Sequence, residues 1–121
     1  MISTNLLVET LSELSRNGKT ESDVLWVGSD EVKISWDNFE KLADVEYNSG
    51  FGTQEVASDL LIVGDGWWLE RLEYDGSEWW SFKTTPKEPE EFIEVFSLLS
   101  SSLGFETLVQ SNTPYSDDDD N

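Results

Sequence analysis

Residues 60–84 read Leu60-Leu61-Ile62-Val63-Gly64-Asp65-Gly66-Trp67-Trp68-Leu69-Glu70-Arg71-Leu72-Glu73-Tyr74-Asp75-Gly76-Ser77-Glu78-Trp79-Trp80-Ser81-Phe82-Lys83-Thr84. Leu60 to Val63 is a short apolar run of the kind buried strands carry. Gly64-Asp65-Gly66 is a turn, and Trp67 to Tyr74 is a second strand. Asp75-Gly76 is the strongest two-residue hairpin signal, because both central positions of such a turn need φ > 0. Glu78 to Thr84 then forms a third strand, so the stretch predicts an antiparallel meander. With Asp75 and Gly76 central, Tyr74 faces Ser77, Leu72 faces Trp79 and Arg71 faces Trp80. Side chains alternate between faces along each strand. One face therefore takes Trp67, Leu69, Arg71, Trp80 and Phe82, joined by Leu60 and Ile62 if Asp65-Gly66 turns the same way. The other takes Trp68, Leu72, Tyr74 and Trp79, with Leu61 and Val63. Both faces are apolar, unlike a sheet with one solvated side.

Upstream, residues 4–17 predict a helix with Leu7, Leu11 and Leu14 on one face, Ser3 or Thr4 as N-cap and Asn17-Gly18 as its stop. Residues 23–34 predict a hairpin, with Val24 to Val27 and Val32 to Ile34 around Gly28-Ser29-Asp30. Ser35 caps an expected helix over 36–46 that buries Trp36, Phe39, Leu42 and Ala43. Residues 47–57, with Gly50 and Gly52, read as a loop. Downstream of Pro86, Pro89 sits at the first turn of an expected helix, followed by Glu90 and Glu91 at its positive end. Phe92, Phe96, Leu99 and Leu103 mark its apolar stripe, and Gly104 closes it. Residues 105–109 are a short strand or covering segment.

The fold class expected is α+β: an antiparallel sheet, made of a hairpin plus a three-stranded meander, with about three helices packed on it in the order αββαβββα. Residues 1–110 form one acidic domain and residues 111–121, ending in Asp117 to Asp120, a flexible acidic tail.

The chain has 121 residues, enough for one domain. Twenty-six acids against seven bases give a net charge of −19, where a small domain carries a magnitude of roughly 2–8. Disorder does not account for this. Leu, Ile, Val and Phe make up 33 of the 121 residues, above the ~20% below which highly charged chains stay unfolded. Six Trp add large apolar areas. The chain contains no Cys and no His, which removes disulfides, thiolate nucleophiles, the Ser-His-Asp triad and the usual zinc ligands. No apolar run approaches the ~18–20 residues of a membrane span, and Met1 to Asn5 lack a basic signal-peptide start. A cytoplasmic protein is expected, with no membrane attachment. Direct nucleic-acid binding needs a basic face, which this composition does not provide.

No cofactor, metal or catalytic residue is expected. Glu70, Glu73 and Glu78 lie near one hairpin, but two carboxylates among 26 are no signal for acid–base catalysis. Asp65-Gly66 and Asp75-Gly76 lack the spacing and closing Glu of an EF-hand loop. Arg71 either stacks on Trp80 or pairs with a carboxylate; both roles are structural. The aromatic faces are core, or one of them is in part a binding patch. The patch favoured is the hairpin tip: Trp68, Tyr74 and Trp79 as anchors, ringed by Glu70, Glu73, Asp75 and Glu78. The spread of acids over every segment reads either as a solvated or salt-adapted surface or as a field that captures a basic partner. Duplex DNA places one phosphate charge per ~1.7 Å of axis, a density that a carboxylate surface can approximate.

Length, charge, absence of Cys and His, and the aromatic meander from Gly64 to Trp80 together resemble the small, very acidic phage and prophage inhibitors of the DNA-mimic and anti-CRISPR type. The resemblance is one of type and transfers no site residue. It implies a non-enzymatic protein that inhibits a basic nucleic-acid-binding protein, such as a host defence nuclease, by mimicking nucleic acid. The alternatives are an immunity or adaptor protein for a basic toxin, and a structural or regulatory phage component whose acidity only gives solubility.

Overall fold

A computed structural model describes residues 3–100 and 104–113. The chain divides into two compact units, residues 1–86 and 87–121.

The first unit is α+β and runs β1 (Ser3–Asn5), α1 (Leu6–Arg16), β2 (Val24–Gly28), β3 (Lys33–Ile34), α2 (Trp36–Ala43), β4 (Glu46–Asn48), β5 (Leu61–Gly64), β6 (Trp67–Tyr74) and β7 (Ser77–Thr84). A single 3-10 turn, Glu21–Asp23, precedes β2. The hairpin and the meander join into one five-stranded sheet of order β3-β2-β5-β6-β7, antiparallel at each pairing. The β6–β7 register is the one the Asp75-Gly76 turn predicts, with Tyr74 opposite Ser77, Leu72 opposite Trp79 and Arg71 opposite Trp80. Asp75 at φ 53° and Gly76 at φ 88° supply the paired positive dihedrals of that turn. At the other end of β6, Gly64 lies against the Trp67 indole so closely that a Cβ would overlap the ring, and only glycine allows the turn there.

The core is Leu6, Leu14, Val27, Phe39, Ala43, Tyr47, Ile62, Trp67, Leu69 and Trp80. It joins α1 and α2 to the sheet face that carries Trp67, Leu69 and Trp80. Trp67 and Phe82 stack across β6 and β7 with ring centroids 5.8 Å apart.

Several local expectations give way to packing. The α1 cap is Asn5, whose side chain accepts from the Val8 N–H at 3.0 Å. Ser3 and Thr4 instead pair with Asn48 and Tyr47 in a two-stranded β1–β4 ribbon. The buried stripe of α1 is Leu6, Thr10 and Leu14, which keeps Leu14 of the leucine stripe but puts Leu6 and Thr10 in place of Leu7 and Leu11, with Thr10 fully buried. Thr10 is drawn in because its hydroxyl accepts from the Trp80 indole N–H at 2.9 Å and donates to the Leu6 carbonyl at 2.7 Å. Ser35 caps α2 as expected, by accepting from the Asn38 N–H at 3.0 Å. That helix stops at Ala43 rather than 46, leaving Leu42 exposed. A tight turn, Val45 N–H to Ala43 carbonyl, ends it and sends Glu46–Asn48 into β4.

The largest departure is in the second unit. The helix expected from Pro89 is absent: residues 87–100 are irregular, and the helix of this unit is α3, Leu108–Asn112. An amphipathic helix gains most of its stability from burial of its stripe rather than from propensity. Phe92, Phe96 and Leu99 stay exposed, so that gain is missing, and the aromatic and β-branched residues Phe92, Ile93, Val95 and Phe96 are middling helix formers. A polar clip holds the segment instead. Asn112 Oδ1 accepts from the Phe96 and Ser97 N–H groups at 2.8 and 2.9 Å, and Asn112 Nδ2 donates to the Ser97 carbonyl at 2.8 Å. α3 also takes the segment expected as strand or cover at 105–109 and the first residues of the expected tail, Ser111 and Asn112. Leu103, and the tail from residue 114 onward, lie outside the described residues.

Candidate protein-binding face

The two faces of the β6–β7 hairpin have different fates. On the helix-covered face lies a buried polar cluster around Arg71, whose side chain is fully enclosed. Its Nη2 donates to Glu78 Oε1 at 2.8 Å and to the Tyr47 hydroxyl at 2.9 Å. Its Nη1 donates to Glu9 Oε2 at 3.4 Å. The guanidinium also lies over the Trp80 ring, 4.7 Å from its centroid, so both readings of Arg71 hold at once. Tyr47 completes the circuit by donating to Glu9 Oε1 at 2.5 Å. Burial raises the Tyr47 phenol well above its ordinary pKa, and the bond to Glu9 adds to this against the lowering effect of Arg71. For Arg71, burial works against the charge, but the bonds to Glu78 and Tyr47 and the charge of Glu9 outweigh it and raise its pKa.

Glu78 does more than neutralise Arg71. Its carboxylate accepts from the Glu55 N–H at 2.6 Å and the Val56 N–H at 3.3 Å, and its own N–H donates to the Ser49 carbonyl at 2.9 Å. The loop after β4 is thereby tied to the start of β7. This corrects the expectation for Glu78 as a rim charge: it is 3% exposed and serves the interior. Glu73, opposite Glu78, is exposed, and its carboxylate accepts from the Gly76 N–H at the turn. Both glutamates lie on the face opposite to Trp68, Tyr74 and Trp79.

The second face follows from the register in rows across the strands. Trp26, Val63, Trp68 and Lys83 form one row, and Leu61, Glu70 and Ser81 the next. Leu72 beside Trp79, then Tyr74 beside Ser77, continue it toward the hairpin tip. Trp68 donates its indole N–H to Glu70 Oε1 at 2.8 Å. Toward the tip the face opens: Leu72 is 38% exposed, Trp79 40% and Tyr74 75%. The structure thus brings Trp68, Glu70, Tyr74 and Trp79 onto one surface, with Asp75 in the turn beyond them.

Acids missing from the expected set join this end. The antiparallel order places the β2–β3 turn, the approach to β5 and the β6–β7 turn at the same end of the sheet. Asp30 and Glu31, Asp59, and Glu73 with Asp75 are therefore gathered there, all exposed. Turn position and strand order in the sheet were the signal that finds them. The first unit holds seventeen acids and six bases. Its ion pairs are Arg16–Glu13, Arg71–Glu9 and Arg71–Glu78, so fourteen carboxylates remain without a cationic partner among the described residues. Among those residues no three carboxylates converge as a metal site, and no helix is long and apolar enough to cross a membrane.

Compared with protein-family models, with curated proteins and with solved structures, the chain matches none.

Proposed function

We propose that this is a non-enzymatic binding protein that inhibits a basic, nucleic-acid-binding protein, such as a host defence nuclease, by presenting carboxylates where phosphates would lie. A cytoplasmic location in a bacterial or archaeal host belongs to the same reading. The observation that carries it is one end of the sheet, which holds exposed Leu72, Tyr74 and Trp79 on the open face, the exposed turn and loop acids Asp30, Glu31, Asp59 and Asp75, and Glu73 on the opposite face. Aromatic anchors within a charged surround are the usual composition of an interface that steers a partner electrostatically and then holds it. The acids speed encounter with a basic cleft, and the aromatic residues slow release.

The test begins with a pull-down from the host and uses the recovered partner in kinetic binding assays. Duplex DNA should compete for it, and affinity should fall as salt rises. Reversing Glu70 and Glu73 to Lys should mainly slow association. Trp79→Ala should mainly speed dissociation, at a cost of roughly 2 kcal/mol or more. A partner bound with unchanged association rate and unchanged salt dependence by the folded double-Lys variant would refute the mimicry.

A further inference from the structure

We propose that residues 88–100 are a second docking segment, which becomes helical against an apolar groove rimmed by lysine and arginine on a partner protein. In the second unit Phe92, Ile93, Val95, Phe96, Leu98 and Leu99 are all exposed, from 39% for Val95 to 104% for Phe92. So many neighbouring large apolar residues rarely face water in a protein that acts alone. Their order is that of a helix: Phe92, Val95, Phe96 and Leu99 fall on one stripe at 3.6-residue spacing, with Glu91 on its flank and Glu90 and Glu94 on the opposite side. The segment is nevertheless irregular, and among the described residues its hydrogen-bonded ties to the rest of the unit are the Asn112 clip on the backbone at 96–97 and the Ser100 hydroxyl, which accepts from the Glu106 N–H at 3.2 Å. A helix of three turns is marginal by itself and forms when its stripe is covered.

Charge selects the occupant. Residues 88–100 hold Glu88, Glu90, Glu91 and Glu94 and no base. Acidic residues flanking an apolar stripe suit a groove with a cationic rim, in the helix-in-groove manner of recognition. Anionic membranes repel the same glutamates, and a second copy carries the same negative charge. Ordering on contact lowers affinity per unit area but couples binding to folding. The segment stands in the second unit and is independent of the aromatic sheet face, so either can fail without the other.

The experiment uses the full chain, with phosphatidylcholine vesicles doped with a cationic lipid as the probe for an apolar surface with a positive rim. Hydrogen exchange read by mass spectrometry follows the peptide 88–100, and circular dichroism follows total helix. The expected result is fast exchange in the free chain, then protection of this peptide and a gain at 222 nm with cationic vesicles only. Phe92→Asp with Phe96→Asp should lose that response, while peptides from 61–84 keep the exchange of the parent and report an intact sheet. Protection of 88–100 in the free chain would overturn the proposal, since the stripe would already be covered. An equal response to undoped phosphatidylcholine would overturn the basic rim. Protection without a gain in helix, or retained by the double-Asp variant, would overturn the helical mode.

Discussion

Trp79 and Trp80 are neighbours in sequence, and one step along β7 separates two environments. Trp80 is 4% exposed, hydrogen-bonded to Thr10 from α1 and stacked under the Arg71 guanidinium. Trp79 is ten times as exposed, opposite Leu72, on a face that opens toward an acidic end of the sheet. The same residue type therefore serves specification on one side and accessibility on the other, and strand alternation alone assigns which. The covered face also receives the polar groups. Arg71, Glu78, Glu9 and Tyr47 come from β6, β7, α1 and β4 and bond one another, while Thr10 of α1 accepts separately from the Trp80 indole. A buried network of this kind is costly to break at one point, because the remaining members keep their desolvation penalty without their partners.

The sharpest way to break the contrast is Arg71→Met. It leaves the Glu78 carboxylate enclosed without its cation and removes a partner of Glu9 and Tyr47. The expected loss is about 3–5 kcal/mol, read as a fall in Tm of more than ~12 °C at ~4–8 °C per kcal/mol for a domain of this size. A loss under ~1 kcal/mol would mean that water reaches the cluster and that the two faces differ less than their burial implies. Thr10→Val follows in size. Valine keeps the shape, but the buried Trp80 indole N–H loses its acceptor, at about 1–3 kcal/mol.

How far these differences are legible in the sequence depends on the reach of the determining interaction. Asp75-Gly76 is local, so the turn, the β6–β7 register and the sorting of Trp79 from Trp80 follow from it directly. The role of Glu78 is not local. It is set by the backbone at Glu55 and Val56, about twenty residues away, and by Arg71 on the neighbouring strand. From the sequence, a glutamate next to an exposed turn reads as a rim charge like Glu73. Thr10 was hidden for the same reason, since a threonine earns an interior place only when an indole seventy residues on needs an acceptor. The β1–β4 ribbon, three residues on each side, is too short to show any alternation. In residues 88–100 the helical period states which side chains would share a face, and it does not state that anything covers them.

Alkaline pH sharpens the comparison on the covered face. The folded state holds the Tyr47 phenol above its ordinary pKa, through burial first and then the bond to Glu9. A raised folded pKa means that its stabilising contribution is complete below the unfolded value near ~10 and is lost as pH climbs from there toward the folded value. Chemical denaturation should thus show stability falling above pH ~10. Tyr47→Phe should remove that part of the decline, while costing about 1 kcal/mol at neutral pH for the lost hydrogen bonds. An identical alkaline decline in the variant would assign it to other groups.

The smallest expected effect is the one that tests the open face. Tyr74 is 75% exposed, pairs with Ser77 at the turn, and makes no side-chain hydrogen bond among the described residues. Tyr74→Ser removes little buried area and leaves the Asp75-Gly76 turn and its register intact. The stability change should stay within ~0.5 kcal/mol, the range of substitutions away from packed or bonded sites. Leu72→Ser, at 38% exposure, should cost more than Tyr74→Ser and less than Thr10→Val, because part of its area is shielded by its neighbours. That order ties each cost to position on the sheet: enclosed cluster, enclosed hydrogen bond, half-open flank, open tip. A Tyr74→Ser variant that loses as much stability as Thr10→Val would show the tip to be covered in solution. The aromatic end would then be core like the face beneath it, and the surface that meets a partner would have to be sought among the carboxylates of α1, of α2 and of its C-cap, with Glu13, Glu40 and Asp44 the first to reverse.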